Sequence, residues 1–369
     1  MTIALIVVAT LCLAYANGAN DNFKGVATLF GSGTTGYRNA LIWATVTTLL
    51  GSLTAVFLAG HLLKSFSGKG LVSNDVVADP SYGAAVALGA GLTVLLASKI
   101  GMPISTTHSL VGALIGAGWA AASPINYAKL GSGFFTPLLL SPVLAILVTI
   151  LVYPLLHGLR RSMGISEETC FCVGNKDIEI APAMSHSATL KRVEQLTLTV
   201  GSDVTCKNRY QGRMLGINTS TVMDKLHYLS SGLVGYARGL NDTPKIAALL
   251  LLAPQLNSLG STILVGIAIA LGGILNARKV AETMSKKITS MNHGQGLTAN
   301  LITGTIVIGA SRLGFPVSTT HVSCGALFGI GTITGRGHLK MIGTILLAWA
   351  TTLPVGAALG AISYWLMPA

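Results

Sequence analysis

Apolar residues fall in ten blocks along the chain. Five lie at about 2–16, 39–60, 83–98, 104–122 and 134–157. After a polar stretch, five more lie at about 226–252, 258–276, 297–310, 317–333 and 341–367. Several approach the ~20 residues a helix needs to span hydrocarbon, and others are shorter and broken by Gly or Pro. Both sets have the same rhythm, which directs attention to an internal repeat. The blocks divide the chain into a first membrane repeat, 1–160, a polar insert, 161–224, and a second membrane repeat, 225–369.

The repeat is legible residue by residue. YANGANDNFKG from Tyr15 matches YARGLNDTPKI from Tyr236 in the pattern Tyr-Ala-x-Gly-x-Asn-Asp-x-x-Lys. SKIGMPISTTHSLVGALIGAG from Ser98 matches SRLGFPVSTTHVSCGALFGIG from Ser311. Two motifs, in the same order and at nearly equal offsets, make the chain a duplication.

Loop charge orients the two halves, because Lys and Arg collect on the cytoplasmic side. The central stretch carries Arg160, Arg161, Lys176, Lys191, Arg192, Lys207, Arg209, Arg213 and Lys225, which places the insert in the cytoplasm. Counting outward, loop 61–82 falls outside, with Lys64 and Lys69 balanced by Asp75 and Asp79. Its repeat mate, 277–295, falls inside, with Arg278, Lys279, Lys286 and Lys287 against Glu282. The loop at 332–340, with Arg336 and Lys340, falls inside too. Equivalent loops on opposite faces mean that the second repeat is inverted, with both termini extracellular or periplasmic. The expected fold class is an all-α integral membrane protein of inverted-topology repeats with discontinuous, re-entrant half-helices, plus a small β-rich cytoplasmic insert.

Composition narrows this further. Length alone would allow two or three soluble domains, but 51% hydrophobic and 10% charged residues indicate a multi-pass protein of the cell (inner or plasma) membrane. The opening MTIALIVVATLCLAYANGAN has no basic leader region and no cleavage site, so it reads as a first membrane helix, not a removable signal. Inward-facing loops and lipid headgroups account for the net charge of +12, and nucleic acid is not an expected partner. An odd number of cysteines (Cys12, Cys170, Cys172, Cys206 and Cys324) divided between membrane and loop gives no disulfide framework. Cys170 and Cys172 with Cys206 could hold a metal, but their spacing fits no strong zinc pattern; neither metal nor cofactor is expected. In the insert, EQLTLTVGSD alternates and YQGRMLGIN is punctuated by glycine, both strand signals. STVMDKLHYL then opens a helix capped by Ser220 or Thr221.

Of twelve acidic residues, seven lie between 167 and 224, and Asp75, Asp79 and Glu282 lie in loops. The two that remain, Asp21 and Asp242, sit in the first duplicated motif between apolar blocks. A carboxylate in hydrocarbon costs roughly 2.5–3.5 kcal/mol even on lenient scales, so it needs a partner or a water-filled cavity. Asn20 and Asn241 precede them, and Lys24 and Lys245 follow at ion-pair reach. The Asp–Lys pairs either staple a broken helix or mark a coupling-ion or proton site at a helix break, where unwound carbonyls can also coordinate.

In the second motif, Pro103 and Pro316 suit the first turn of a helix. Ser105, Thr106 and Thr107, and their mates Ser318, Thr319 and Thr320, then fall at the cap and first turn, beside N–H groups with no intrahelical partner. Such an end carries about half a positive charge and is a ready anion site. Inversion can bring two such ends face to face around a small tetrahedral anion. His108 and His321 close each cluster, as proton relay, substrate donor or structural group. The glycines of GALIGAG and GALFGIG serve close helix packing.

GANDNFKG, GLNDTPKI and the two STTH segments together resemble the duplicated signatures of the inorganic phosphate transporter family, which includes sodium- or proton-coupled phosphate permeases and related sulfate permeases. The resemblance covers both membrane halves and leaves out the insert. It implies an oxyanion held by the two Ser-Thr-Thr ends and cation sites near Asn20, Asp21, Asn241 and Asp242. One departure matters: sodium-coupled members usually carry a neutral amide where this chain has Lys24 and Lys245. An ammonium there competes with sodium for the same carboxylate, which predicts sodium independence.

With both Asp and both Lys charged, the empty site is neutral. Helix ends plus protonation of Asp21 and Asp242 would then balance a dianion. Sulfate suits a donor-only cage, whereas phosphate keeps a proton and wants an acceptor, which Asp21 or Asp242 could supply; sulfate is slightly favoured, with phosphate close behind. The expected protein is a secondary active symporter importing sulfate or phosphate, coupled to protons and not to sodium, embedded in the lipid bilayer and compatible with a homodimer. The alternatives are a sodium-coupled phosphate symporter and, in another class, a passive anion or solute channel. Two buried Asp–Lys sets disfavour the channel. An enzyme lacks a nucleophile with an oriented base, and an ATP-driven pump lacks a phosphate-binding loop.

Overall fold

The computed structural model describes residues 2–166, 168–180, 191–209, 214–251 and 257–367. Each of the ten apolar blocks forms a helix. In the first half these are α1 (Thr2–Asp21), α2 (Tyr37–Leu58), α3 (Pro80–Ile100), α4 (Thr106–Ala120) and α5 (Thr136–Ser162). In the second they are α6 (Thr219–Leu250), α7 (Ser258–Asn276), α8 (His293–Leu313), α9 (Thr319–Thr334) and α10 (Leu339–Trp365). Among the described residues six helices are long and apolar enough to cross a membrane. The protein is an integral membrane protein built from an inverted repeat, with α4 and α9 as the short half-helices. Large apolar side chains stay exposed on the outer helices, among them Phe57, Leu151 and Leu347, as a lipid-facing surface requires.

The chain divides into two compact units, Met1–Tyr153 with His227–Ala369, and Pro154–Leu226. In the first, α1 packs on α3 and α7, and α10 packs on α3 and α4. Glycine makes the tightest of these contacts. A Cβ on Gly116 of α4 would lie 1.9 Å from the carbonyl oxygen of Ala357 in α10, and one on Gly112 would lie 2.2 Å from that of Leu353. The mate α9 turns Gly325 and Gly329 onto Pro142 and Thr149 of α5. Each half-helix therefore leans on a helix of the other repeat. Replacing Gly116 by Leu should force α4 and α10 apart and destabilise the protein by about 1–3 kcal/mol. Gly343→Leu, where a Cβ meets nothing within 4 Å, should change little. Thermal unfolding of the two detergent-solubilised variants makes the comparison.

Two local expectations are corrected. Pro103 and Pro316 do not open the helices. They stand two residues before the caps Ser105 and Ser318, whose extended backbone (φ −94° and −99°) lets the serine side chain turn back on the first turn. The break at the Asn-Asp motif occurs only in the first repeat, where α1 ends at Asp21 and a 3-10 turn, Asn22–Gly25, follows. Helix α6 runs unbroken past Asp242 and through Pro244. Ile246 and Ala247 propagate a helix better than the equivalent Gly25 and Val26.

The second unit holds an antiparallel sheet in the order β2-β1-β3, from β1 (Thr169–Ile180), β2 (Lys191–Ser202) and β3 (Met214–Asn218), with a short helix, Asp203–Arg209. Of the glycine-punctuated YQGRMLGIN, Tyr210–Arg213 lies outside the described residues. Helix α6 starts at Thr219, so the expected caps Ser220 and Thr221 fall within its first turn, a shift within ordinary boundary variation. Cys172 and Cys206 form a disulfide. This pair was not legible in the cysteine count, because the fold closes 34 residues of sequence separation to a Cα–Cα distance of 6.2 Å.

Candidate functional site

Helical spacing brings the polar side chains of α1 and α6 to one place. Asn17, Asn20 and Asp21 lie three and four residues apart and so share a face, and Lys24 follows in the 3-10 turn. Arg238, Asn241, Asp242 and Lys245 repeat the arrangement on α6. All eight are at most 3% exposed. Between them enter the Pro103–Ser105 and Pro316–Ser318 loops and the first turns of α4 and α9.

The two helix starts hold each other reciprocally. Thr107 Oγ1 donates to the Val317 carbonyl (3.4 Å), and Thr320 Oγ1 donates to the Ile104 carbonyl (2.7 Å). Ser105 Oγ accepts from the His108 N–H (3.1 Å) and Ser318 Oγ from the His321 N–H (3.3 Å). The serines are thus occupied as caps, which satisfies one first-turn N–H on each helix. Asn20 and Asn241 fix the loops. Asn20 donates to Ser98 Oγ (3.1 Å) and the Met102 carbonyl (3.0 Å), and its own oxygen accepts from the Ile104 N–H (3.1 Å). Asn241 donates to the Val317 carbonyl (3.2 Å) and accepts from Ser311 (3.1 Å).

Each lysine fills a cage of oxygens. Lys24 Nζ donates to Asn20 Oδ1 (3.1 Å), the Ile104 carbonyl (2.9 Å), Asp21 Oδ1 and Thr320 Oγ1. Lys245 Nζ donates to Thr107 Oγ1 (2.8 Å) and the Val317 carbonyl (2.7 Å), and pairs with Asp242 at 3.7 Å. The threonine in each cage belongs to the other repeat. The unwound carbonyls expected at the Asn-Asp breaks come instead from the loops ahead of α4 and α9.

The other two threonines face the carboxylates. Thr106 Oγ1 donates to Asp21 Oδ2 (3.3 Å), and Thr319 Oγ1 donates to Asp242 Oδ2 (3.5 Å). Asn17 stands between them, its Nδ2 donating to Thr106 Oγ1 (3.0 Å), Asp21 Oδ2 (3.1 Å) and Asp242 Oδ2 (3.3 Å). Its repeat mate Arg238 donates to Asn17 Oδ1 (2.7 Å), Asn22 Oδ1 (3.1 Å) and Thr48 Oγ1 (3.3 Å), with Nε 3.7 Å from Asp242. Two carboxylates therefore meet three cations, and the site carries one formal positive charge, where the expectation from Asp and Lys alone was neutrality. Asn17 and Arg238 occupy the unmatched position of Tyr-Ala-x-Gly. A census of basic residues inside apolar blocks, made as for the acidic ones, finds Arg238.

The His108 and His321 rings lie 4.5 Å apart, and His321 stacks on Trp349 at 3.9 Å. Trp349 donates to the Pro103 carbonyl (3.3 Å), tying the ring pair to the first loop. His108 Nδ1 and His321 Nε2 are buried with no protein hydrogen bond among the described residues. From Ser105 to His108 and from Ser318 to His321, no residue exceeds 7% exposure, so this conformation is closed. The arrangement can do three things chemically: it offers hydroxyls and helix ends to an anion, carboxylates to protons, and oxygen cages to a cation.

Comparison with known proteins agrees with this geometry. The chain is 26% identical to the "Probable low-affinity inorganic phosphate transporter" of Bacillus subtilis, over 98% of its own length and 96% of the relative's. It is 25% identical to the chloroplastic inorganic phosphate transporter 2-1 of Arabidopsis thaliana, over 96% of this chain and 70% of that one. A solved structure titled "The sodium-dependent phosphate transporter" superposes with a TM-score of 0.76 at 22% identity, covering 99% of this chain and 98% of the other, which establishes the fold. Residues 17–360 match the family model described as the phosphate transporter family, and the chain belongs to that family of membrane transporters, not to an enzyme class.

Proposed function

We propose that this protein imports an inorganic tetrahedral oxyanion together with protons and without sodium. One observation carries the reading: each cage that offers a carboxylate or amide, a loop carbonyl and a threonine hydroxyl already holds an ammonium. Sodium would need those oxygens. Lys24 and Lys245 act as built-in cations, with Asn20 and Asn241 holding the cage walls. Thr106 and Thr319, with the first-turn N–H groups of α4 and α9, bind the anion; Thr107 and Thr320 line the cages, and Ser105 and Ser318 shape the helix ends. Asp21 and Asp242 accept the transported protons, and the His108–His321 pair extends the proton route from them.

Within this reading phosphate is the favoured anion over sulfate. The threonines are not a donor-only cage, since Asp21 and Asp242 lie against them. A carboxylate beside hydroxyls suits an anion that keeps a proton, and the relatives are named for phosphate. The closed site, with Arg238 adding positive charge, favours alternating access over a passive channel. Loop charge supports the insert inside and both termini outside.

Proteoliposome uptake tests the reading. Labelled phosphate should accumulate under an inward proton gradient in sodium-free buffer, and unlabelled phosphate should compete better than sulfate. Uptake that requires sodium and ignores pH would overturn the coupling scheme. Flux that neither saturates nor concentrates the anion would identify a channel.

A further inference from the structure

We propose that Cys170, Cys172 and Cys206 form a binding site for a thiophilic d10 metal ion, zinc or copper(I), at the centre of the polar insert. All three side chains are fully buried, and their sulfur atoms lie within 4.8 Å of one another. Cys170 and Cys172 project from the same face of β1, their sulfurs 3.3 Å apart. Cys206 comes down on them from the Asp203–Arg209 helix. Three thiolates around one ion at zinc–sulfur distances of ~2.3 Å sit about 3.8 Å from one another. The cluster needs only small movements to reach that spacing.

Among the described residues of this unit, these three cysteines make up the buried apolar cluster, while Leu196, Leu198, Val200, Leu215 and Ile217 are exposed. A unit this small, with no buried aliphatic cluster among its described residues, gains from a covalent or metal staple. The Cys172–Cys206 disulfide is one such staple, but it leaves the buried Cys170 thiol against the pair without using it. A metal uses all three sulfurs. The two states exchange through a dithiol reductant, which gives two electrons and two protons to Cys172 and Cys206 and itself becomes a disulfide. Zinc or copper(I) then displaces the thiol protons. The proposed cytoplasmic placement of the insert, where thiols are kept reduced, favours the metal state. Three sulfur donors select soft ions over magnesium or calcium, and zinc would complete its four-fold shell with water.

The experiment is independent of transport. Full-length protein is purified in detergent under a phosphine reductant and loaded separately with zinc and with copper(I); bound metal is then measured by mass spectrometry after desalting. About one equivalent of either ion should remain per chain, and Cys170→Ser should reduce it to near none. Gel filtration and thermal unfolding of that variant beside the parent, in the same reducing buffer, show that the fold is kept. Cys12→Ser and Cys324→Ser should retain the full equivalent. The proposal is overturned if the reduced protein retains neither ion, or if Cys170→Ser binds as much metal as the parent.

Discussion

Exchanging both caged lysines for the neutral amide, Lys24→Asn with Lys245→Asn, should convert a sodium-independent transporter into a sodium-dependent one. The oxygens that hold each ammonium remain: the Asn20 side chain with the Ile104 carbonyl and Thr320 hydroxyl in one cage, and the Thr107 hydroxyl with the Val317 carbonyl in the other. What disappears is the charge facing Asp21 and Asp242. Asp242 keeps Arg238 at 3.7 Å, but Asp21 loses its lysine, and leaving one member of a buried ion pair unpartnered costs about 3–5 kcal/mol, more than two decades in an equilibrium constant. In sodium-free buffer the double variant should therefore lose uptake by at least about 100-fold. A hard cation with a preference for oxygen can take the vacated position, so sodium should restore much of the rate while leaving the parent unaffected. Gel filtration in both buffers separates loss of transport from loss of fold. Uptake by the variant that stays the same with and without sodium would remove the cages from the coupling mechanism.

How much of this could be read from the chain depended on how each feature is encoded. The ten helices were legible because hydrocarbon demands long apolar runs, and inversion was legible because loop lysines and arginines respond to membrane orientation. The Asp21 and Asp242 sites stood out as charges where charge is expensive. Arg238 carries the same signal, masked in the sequence by the many basic residues of the loops. The division of labour among the six hydroxyls was not legible at all. Ser105, Thr106 and Thr107 are neighbours in sequence, but successive helix positions point about 100° apart. One therefore caps its own helix, one faces Asp21, and one crosses to the Lys245 cage. The continuous α6 was hidden for a related reason. Pro244 reads locally as a break, yet inside a membrane protein neighbouring helices tolerate the lost hydrogen bond.

That division predicts unequal results from substitutions in one short motif. Thr106→Val with Thr319→Val keeps side-chain shape, helix caps and lysine cages, and removes only the two hydroxyls that face Asp21 and Asp242. If these hydroxyls bind the anion, transport should fall by two orders of magnitude or more. Each buried hydrogen bond to a charged group contributes about 1.5–3 kcal/mol, and two are lost together. Ser105→Ala with Ser318→Ala removes the caps instead. It should lower thermal stability by about 1 kcal/mol per helix and leave more of the transport, because the hydroxyls it deletes are already engaged by the His108 and His321 N–H groups. Binding of labelled phosphate to the purified variants, read beside their melting temperatures, separates the two outcomes. If the valine pair binds phosphate like the parent, Thr106 and Thr319 are packing residues and the anion is held elsewhere. If the alanine pair loses binding and the valine pair does not, the helix ends themselves carry the site.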